Sequence, residues 1–252
     1  LYKKTVQQQR FAEFFERRMR LSKYYSSREA LRLAPPTYDI YLTGSDQVWN
    51  HKCMKGDGTF FFDFVESASK ASYAASFSSH NIPEHMRESY ASYLKTYKYI
   101  GVREEEAVQL VGTLTNKDAV TVCDPTLLLT RDDYLKIAED SKLYPSQDPY
   151  ILVYALSYAY NPYPQIEKVA NYVKQMLGYK VVYLCANTVD HYHLGRSITS
   201  AGPAEFIDLF LNAKFVVTSS FHGTAFAINF EVPFISVVPD DSKDDSRIVS
   251  IL

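Results

Sequence analysis

Phe11, Phe14, Phe15 and Met19 recur at the spacing of one helical face, so the first apolar periodicity of the chain predicts an amphipathic helix ending before Ser26 and Ser27. Those serines are placed to cap a second, short helix. After Pro35-Pro36 the period changes. Tyr38 to Gly44 reads as a compact strand closed by glycine, and further strand-length runs follow at Ala71 to Phe77, Tyr99 to Val102 and Ala119 to Val122. Between the second and third of these strands, Met86, Tyr90, Tyr93, Leu94 and Tyr97 mark one face of a helix. Strands alternating with helices predict a parallel sheet covered on both faces.

From Asp140 to Pro149 the periodicity fails and two prolines appear, which reads as a linker between domains. Strands then recur at Tyr150 to Leu156, Lys180 to Ala186, Lys214 to Thr218 and Phe234 to Val238. Helical patterns lie between or beside them at Pro164 to Leu177, Pro203 to Asn212 and Gly223 to Phe230. The expectation is an α/β protein of two Rossmann-like domains, residues 1–142 and 148–252, facing a crevice where open α/β sheets take their ligands.

Composition narrows the partners. With 252 residues the chain is long enough for two domains. Lys and Arg number 27 against 29 Asp and Glu, a formal net charge of -2, so no global basic field exists to hold nucleic acid. The apolar runs are far shorter than the roughly 20 residues of a membrane span, so no transmembrane segment is expected. The opening stretch lacks the apolar core of a signal peptide, which makes the cytoplasm the expected compartment, with attachment to the inner face of the membrane left open. Both ends of the chain read as cut. Cys53, Cys123 and Cys185 are far apart and are expected to pack as reduced, small hydrophobes.

Three segments carry candidate chemistry. Phe215 to Ala227 runs from a strand through Ser219, Ser220, Phe221, His222, Gly223 and Thr224 into an apolar helix, the arrangement of an anion site at a helix start. His222 there can exchange protons near neutrality; the other reading is that a serine caps the helix and His222 makes a structural bond. Gly44 to Asn50 gathers Ser45, Asp46 and the chain's only tryptophan, Trp49, at the end of a strand. A carboxylate and an aromatic ring suit a sugar, whereas a capping Asp46 and a core Trp49 need no ligand. Arg103 closes a strand before an acidic helix start and can clamp a carboxylate or phosphate, or pair with Glu104, Glu105 or Glu106. The acidic run Asp240, Asp241, Asp244 and Asp245 lacks the pattern of a calcium loop, and His191 and His193 lack a third ligand. No metal and no cofactor are expected.

Taken in order, Gly44-Ser45-Asp46 with Trp49-Asn50, Tyr73-Ala74-Ala75-Ser76, Arg103-Glu104, Asp124-Pro125 and Ser219-x-x-His222-Gly223 resemble the polysaccharide pyruvyl transferase family. The resemblance implies a fold similar to GT-B glycosyltransferases, phosphoenolpyruvate as donor substrate, and a hydroxyl pair of a saccharide or lipid-linked oligosaccharide as acceptor. It implies His222 and Asp46 as catalytic groups, with Arg103, Ser219, Ser220, Gly223 and Thr224 on the donor. Ser45, Asp46 and Trp49 would hold the acceptor. Two positions depart from the family pattern: Ser220 stands where many members have arginine, and Ser78 where many have glycine. The rival readings are a nucleotide-sugar-dependent GT-B glycosyltransferase, against which Thr224 to Phe230 offers no carboxylate for a ribose, and a non-catalytic carbohydrate-binding relative.

Overall fold

The computed structural model describes residues 2–66, 69–143, 148–157, 160–184, 194–239, 248 and 251, with side chains from residue 5. The chain opens with α1 (Tyr2–Arg18) and divides into two compact units, residues 21–125 with 243–252 and residues 1–20 with 126–242. We call these the amino-terminal and carboxy-terminal units.

In the amino-terminal unit β1 (Ile40–Thr43), β2 (Ser69–Ala75), β3 (Tyr97–Val102) and β4 (Val120–Thr121) pair in parallel, side by side in chain order. Helices α2 (Arg28–Leu33), α3 (His51–Met54), α4 (Glu84–Lys95) and α5 (Glu105–Thr115) complete it. Ser27 caps α2 by accepting the Ala30 N–H at 3.1 Å. Tyr97, which its spacing placed on a helical face, is the first residue of β3, and its hydroxyl meets Thr43 Oγ1 at 2.6 Å across the sheet. The core gathers Trp49, Phe61, Phe77, Tyr90, Leu94 and Val102 on one face. Two covered faces were expected; among the described residues, Ile40, Leu42, Tyr99 and Val120 of the strands are exposed. Crossovers that all step the same way place their helices on one side of a sheet, and the chain-order strand sequence is of that kind.

The carboxy-terminal unit holds β5 (Tyr150–Tyr154), β6 (Lys180–Leu184), β7 (Gly195–Ile198), β8 (Phe215–Thr218) and β9 (Phe234–Ser236), all parallel in the order β7-β6-β5-β8-β9. Its helices are α6 (Arg131–Ala138), α7 (Gln165–Leu177), α8 (Pro203–Asn212) and α9 (Phe221–Asn229). Strand β5 is apolar at every position because it is buried on both faces. Leu152 joins a cluster with α8 and α9, and Ile151 and Val153 one with α7. Strand β7 was not anticipated, since Gly195-Arg196-Ser197-Ile198 shows no apolar run.

The units divide between residues 125 and 126, not at the expected 142–148. Helix α1 belongs with the second sheet: Gln7 Nε2 donates to the Ala201 carbonyl at 3.1 Å, and Arg10 bonds the Ser200 carbonyl at 2.8 Å and Glu205 at 3.1 Å. Helix α6 belongs there too, through Tyr134 packed on Phe226 and Phe230. The segment read as a linker therefore lies within one unit, with residues 144–147 outside those described. Cys53 and Cys123 are exposed, against the expectation of packed thiols. Cys185, His191, His193 and the aspartates at 240, 241, 244 and 245 lie outside the described residues.

Candidate functional site

Four of the five motif segments end on one another in the amino-terminal unit. Ser45 follows β1, Ser76 follows β2, Arg103 and Glu104 follow β3, and Asp124 comes after β4. Parallel strands present all their carboxyl ends on one edge, so residues distant in sequence become neighbours. Asp124 Oδ2 accepts from Ser45 Oγ at 2.8 Å and from Arg103 Nη1 at 2.9 Å. Arg103 Nη2 reaches Asp46 Oδ1 at 3.4 Å, its Nε lies 3.8 Å from Glu104 Oε1, and Ser76 Oγ donates to that same oxygen. Asp124 and Ser76 were seen in the sequence as motif positions only, and Glu104 also as a possible partner of Arg103. Their shared signal was that each comes within three residues of a strand's end.

Among the described residues the constellation sets three carboxylates around one guanidinium. The Arg103 side chain is only 3% exposed, and drawing it out toward an external anion would strand the buried Asp124 carboxylate. Arg103 stands here as an internal counter-ion, the ion-pair alternative to a donor clamp. Its partners are Asp124, Asp46 and Glu104 rather than Glu105 or Glu106. Asp46 differs from the other acids: its carboxylate is 59% exposed, and its backbone stands at φ 75 while its carbonyl accepts the Val48 and Ser76 N–H groups. Ala74 at φ 54 and Ser78 at φ 48 share this left-handed region, so three non-glycine residues near the strand ends hold strained backbone. Ser78 occupies a conformation suited to glycine, the residue the family pattern puts there. Beside the cluster, the hydrogen bond between the Tyr73 hydroxyl and Cys123 Sγ raises the Tyr73 phenol to about 12.

Trp49 does not belong to this surface. Its ring is wholly buried, stacked on Phe61 at 5.1 Å and edge-on to Tyr97 at 5.4 Å. The expected role in covering a sugar is overturned, because no face of the indole is accessible.

The fifth segment lies in the carboxy-terminal unit, where β8 turns into α9. Connections from the neighbouring strands β5 and β8 leave in opposite directions along the sheet, and ligands of open α/β sheets bind at such a switch point. Ser219 Oγ fastens the two strand ends, accepting the Leu156 N–H at 2.9 Å and donating to its carbonyl at 3.1 Å. Ser220 is the N-cap of α9, accepting the Gly223 N–H at 3.3 Å. Thr224 Oγ1 bonds the Ser220 carbonyl at 3.1 Å and Ser236 Oγ at 2.7 Å. A Cβ on Gly223 would stand 2.2 Å from Thr218 Oγ1, so only glycine fits. The hydroxyls of Ser219, Ser220 and Thr224, expected to cradle a donor, are engaged in building the turn. Between residues 216 and 227, His222 is the one side chain that is not buried, and it sits in the first turn of α9. The arrangement presents an imidazole beside the positive end of a helix dipole, able to receive an anion and to move a proton. Among the described residues no three His, Cys, Asp or Glu side chains stand together as metal ligands, and no helix is long and apolar enough to cross a membrane.

Solved structures share this architecture. The UDP-GlcNAc 2-epimerase of Methanocaldococcus jannaschii superposes with a TM-score of 0.55 at 14% identity, over 96% of this chain and 81% of that one. A structure of the enzyme of that organism in complex with UDP-GlcNAc and UDP gives 0.56 at 15%, over 94% and 74%. The UDP-N-acetylglucosamine 2-epimerase of Rickettsia bellii gives 0.52 at 12%, over 88% and 66%. At such identities the likeness concerns the fold alone: two Rossmann-like α/β units of the GT-B kind. No curated protein sequence matches at a significant level. The family model for polysaccharide pyruvyl transferase matches residues 2–241, nearly the whole length, and the chain belongs to that family.

Proposed function

We propose that the chain transfers a pyruvyl group from phosphoenolpyruvate to a pair of hydroxyls on a saccharide, forming a cyclic ketal. The observation that carries this reading is the family match over residues 2–241 together with His222 left accessible at the α9 turn. In the reaction two C–O bonds form at C2 of the enol phosphate, a proton is added to its CH₂ carbon, and the C2–O bond to phosphate breaks. The two hydroxyls lose one proton each; one balances the new methyl group and the other leaves with phosphate. His222 suits proton delivery to the methylene carbon, and the α9 N–H groups suit the departing phosphate. The acidic cluster suits the acceptor. Asp46, exposed and set against Arg103, can take a proton from a sugar hydroxyl, and the half-exposed Ser45 can orient it.

The rival is a nucleotide-sugar enzyme, which the shared fold of the UDP-bound epimerases brings into view. A thermal-shift comparison separates the two. Phosphoenolpyruvate at 100 times its Kd should stabilise the protein by about 2.7 kcal/mol, and UDP-sugars should leave the melting temperature unchanged. The opposite result would move the chain to the rival class.

A further inference from the structure

Helix α1 is fastened to the carboxy-terminal unit by polar bonds. Gln7 and Arg10 hold the Ala201 and Ser200 carbonyls, Arg10 also pairs with Glu205, and Arg17 and Arg18 meet Asp140 at 3.3 and 2.8 Å. A line of apolar residues takes no part in these bonds. Phe11, Phe15 and Met19 follow one another four residues apart, and the Met19 N–H bonds the Phe15 carbonyl at 3.0 Å, so all three lie along one side of the helix. They are 41%, 40% and 48% exposed. Single exposed apolar residues need no explanation, whereas three large ones on one helical line make a face that a partner can cover.

Charge narrows the partner. Residues 1–20 hold six Lys and Arg against two Glu, in a chain whose net charge is -2. Three of the cations, Arg17, Arg18 and Arg20, flank Met19 where the apolar line ends. Asp140 is the counter-charge of the first two, but their side chains are 62% and 40% exposed, and ion pairs so open to water contribute little. They can be exchanged for an external anion at small cost. A nucleic acid would take the arginines and offer Phe11, Phe15 and Met19 nothing to bury against. A protein that closes round an amphipathic helix would have to break the bonds that hold α1 to its own unit. A lipid surface needs one face only: it takes apolar side chains at the boundary of headgroups and acyl chains, and anionic headgroups meet the arginines.

We infer that α1 docks the protein on an anionic phospholipid surface, with Phe11, Phe15 and Met19 entering the headgroup boundary and Arg17, Arg18 and Arg20 on the phosphates. The inference goes beyond the transfer reaction and does not depend on it.

The test is co-sedimentation of the whole chain with sucrose-loaded vesicles, one set of phosphatidylcholine alone and one of phosphatidylcholine and phosphatidylglycerol in equal parts. The protein should pellet with the anionic vesicles and stay in solution with the neutral ones. Binding should fall as salt rises toward about 1 M, where the Debye length is about 3 Å. Phe15→Ser combined with Met19→Ser should weaken the partition about tenfold or more. Arg20→Gln removes one exposed charge and none of the bonds that fasten α1, and should weaken it about fivefold. Melting temperatures near that of the parent establish that both variants are folded. Failure to pellet with either vesicle, equal pelleting with both, or an unchanged partition in both variants overturns the inference. A dimer seen by light scattering that Phe15→Ser dissociates overturns it too, and assigns the face to a second copy of the chain.

Discussion

Arg103 Nη1 lies 2.9 Å from Asp124 Oδ2, and the two side chains are 3% and 2% exposed. A guanidinium and a carboxylate so enclosed neutralise one another, and removing one charge takes from the other, still buried, the ion-pair partner at 2.9 Å. Arg103→Ala should therefore cost about 3–5 kcal/mol of stability, with Asp124→Ala in the same range. Urea unfolding measures it. A loss below about 1 kcal/mol combined with weakened donor binding would restore Arg103 as a donor clamp.

His222 poses the opposite case, accessible where its neighbours are buried. His222→Asn should lower kcat by about 10²–10⁴-fold and leave the melting temperature near that of the parent. Turnover within threefold of wild type would remove His222 from the chemistry.

Trp49 offers a probe that needs no mutation, being the one tryptophan of the chain. Its ring among Phe61, Phe77 and Tyr97 should give blue-shifted, poorly quenched emission that moves to the red only on unfolding. Added saccharide should leave the spectrum unchanged. Trp49→Ala should destabilise by about 3–5 kcal/mol. A spectral shift on saccharide binding would bring the indole back to the acceptor site.

His51, at the start of α3, has its pKa lowered from 6.5, first by burial and then by Lys52 and His85. With the folded value depressed, the unfolded chain takes up the proton first as pH falls below 6.5. The contribution of His51 to stability is therefore complete above 6.5 and is lost as pH falls through the folded pKa. His51→Gln should flatten the stability profile on the acid side of 6.5, read from chemical denaturation at a series of pH values. An unchanged slope would assign that acid sensitivity to other groups.

Much of this was legible in the sequence, for local reasons. Helix α8 runs over the residues its pattern marked because Gly202 and Pro203 begin it sharply and apolar residues fill its buried face. Strand β5 was legible because burial on both faces demands an unbroken apolar run. Strand β7 lay hidden because three of its four residues are exposed and carry no pattern. Site chemistry failed where it depended on partners remote in sequence. Asp46 and Ser45 were found at a strand end, but nothing near Arg103 showed that Asp124, 21 residues on, would neutralise it. Likewise the polar neighbours of Trp49 suggested a surface, while Phe61, Phe77 and Tyr97 close over its ring from other segments.

The acidic constellation also ties chemistry to folding cooperativity. Ser45 and Asp124 are 79 residues apart, and Arg103 and Asp46 are 57 apart. No fragment with only some strands in register can assemble it, since each contact closes a long loop before it returns any energy. Its integrity falls to the shortest strand, β4, which holds Asp124 in place through two residues paired with β3. Fraying there would part the Asp124 carboxylate from Arg103 and Ser45 together, so the constellation should come apart before global unfolding.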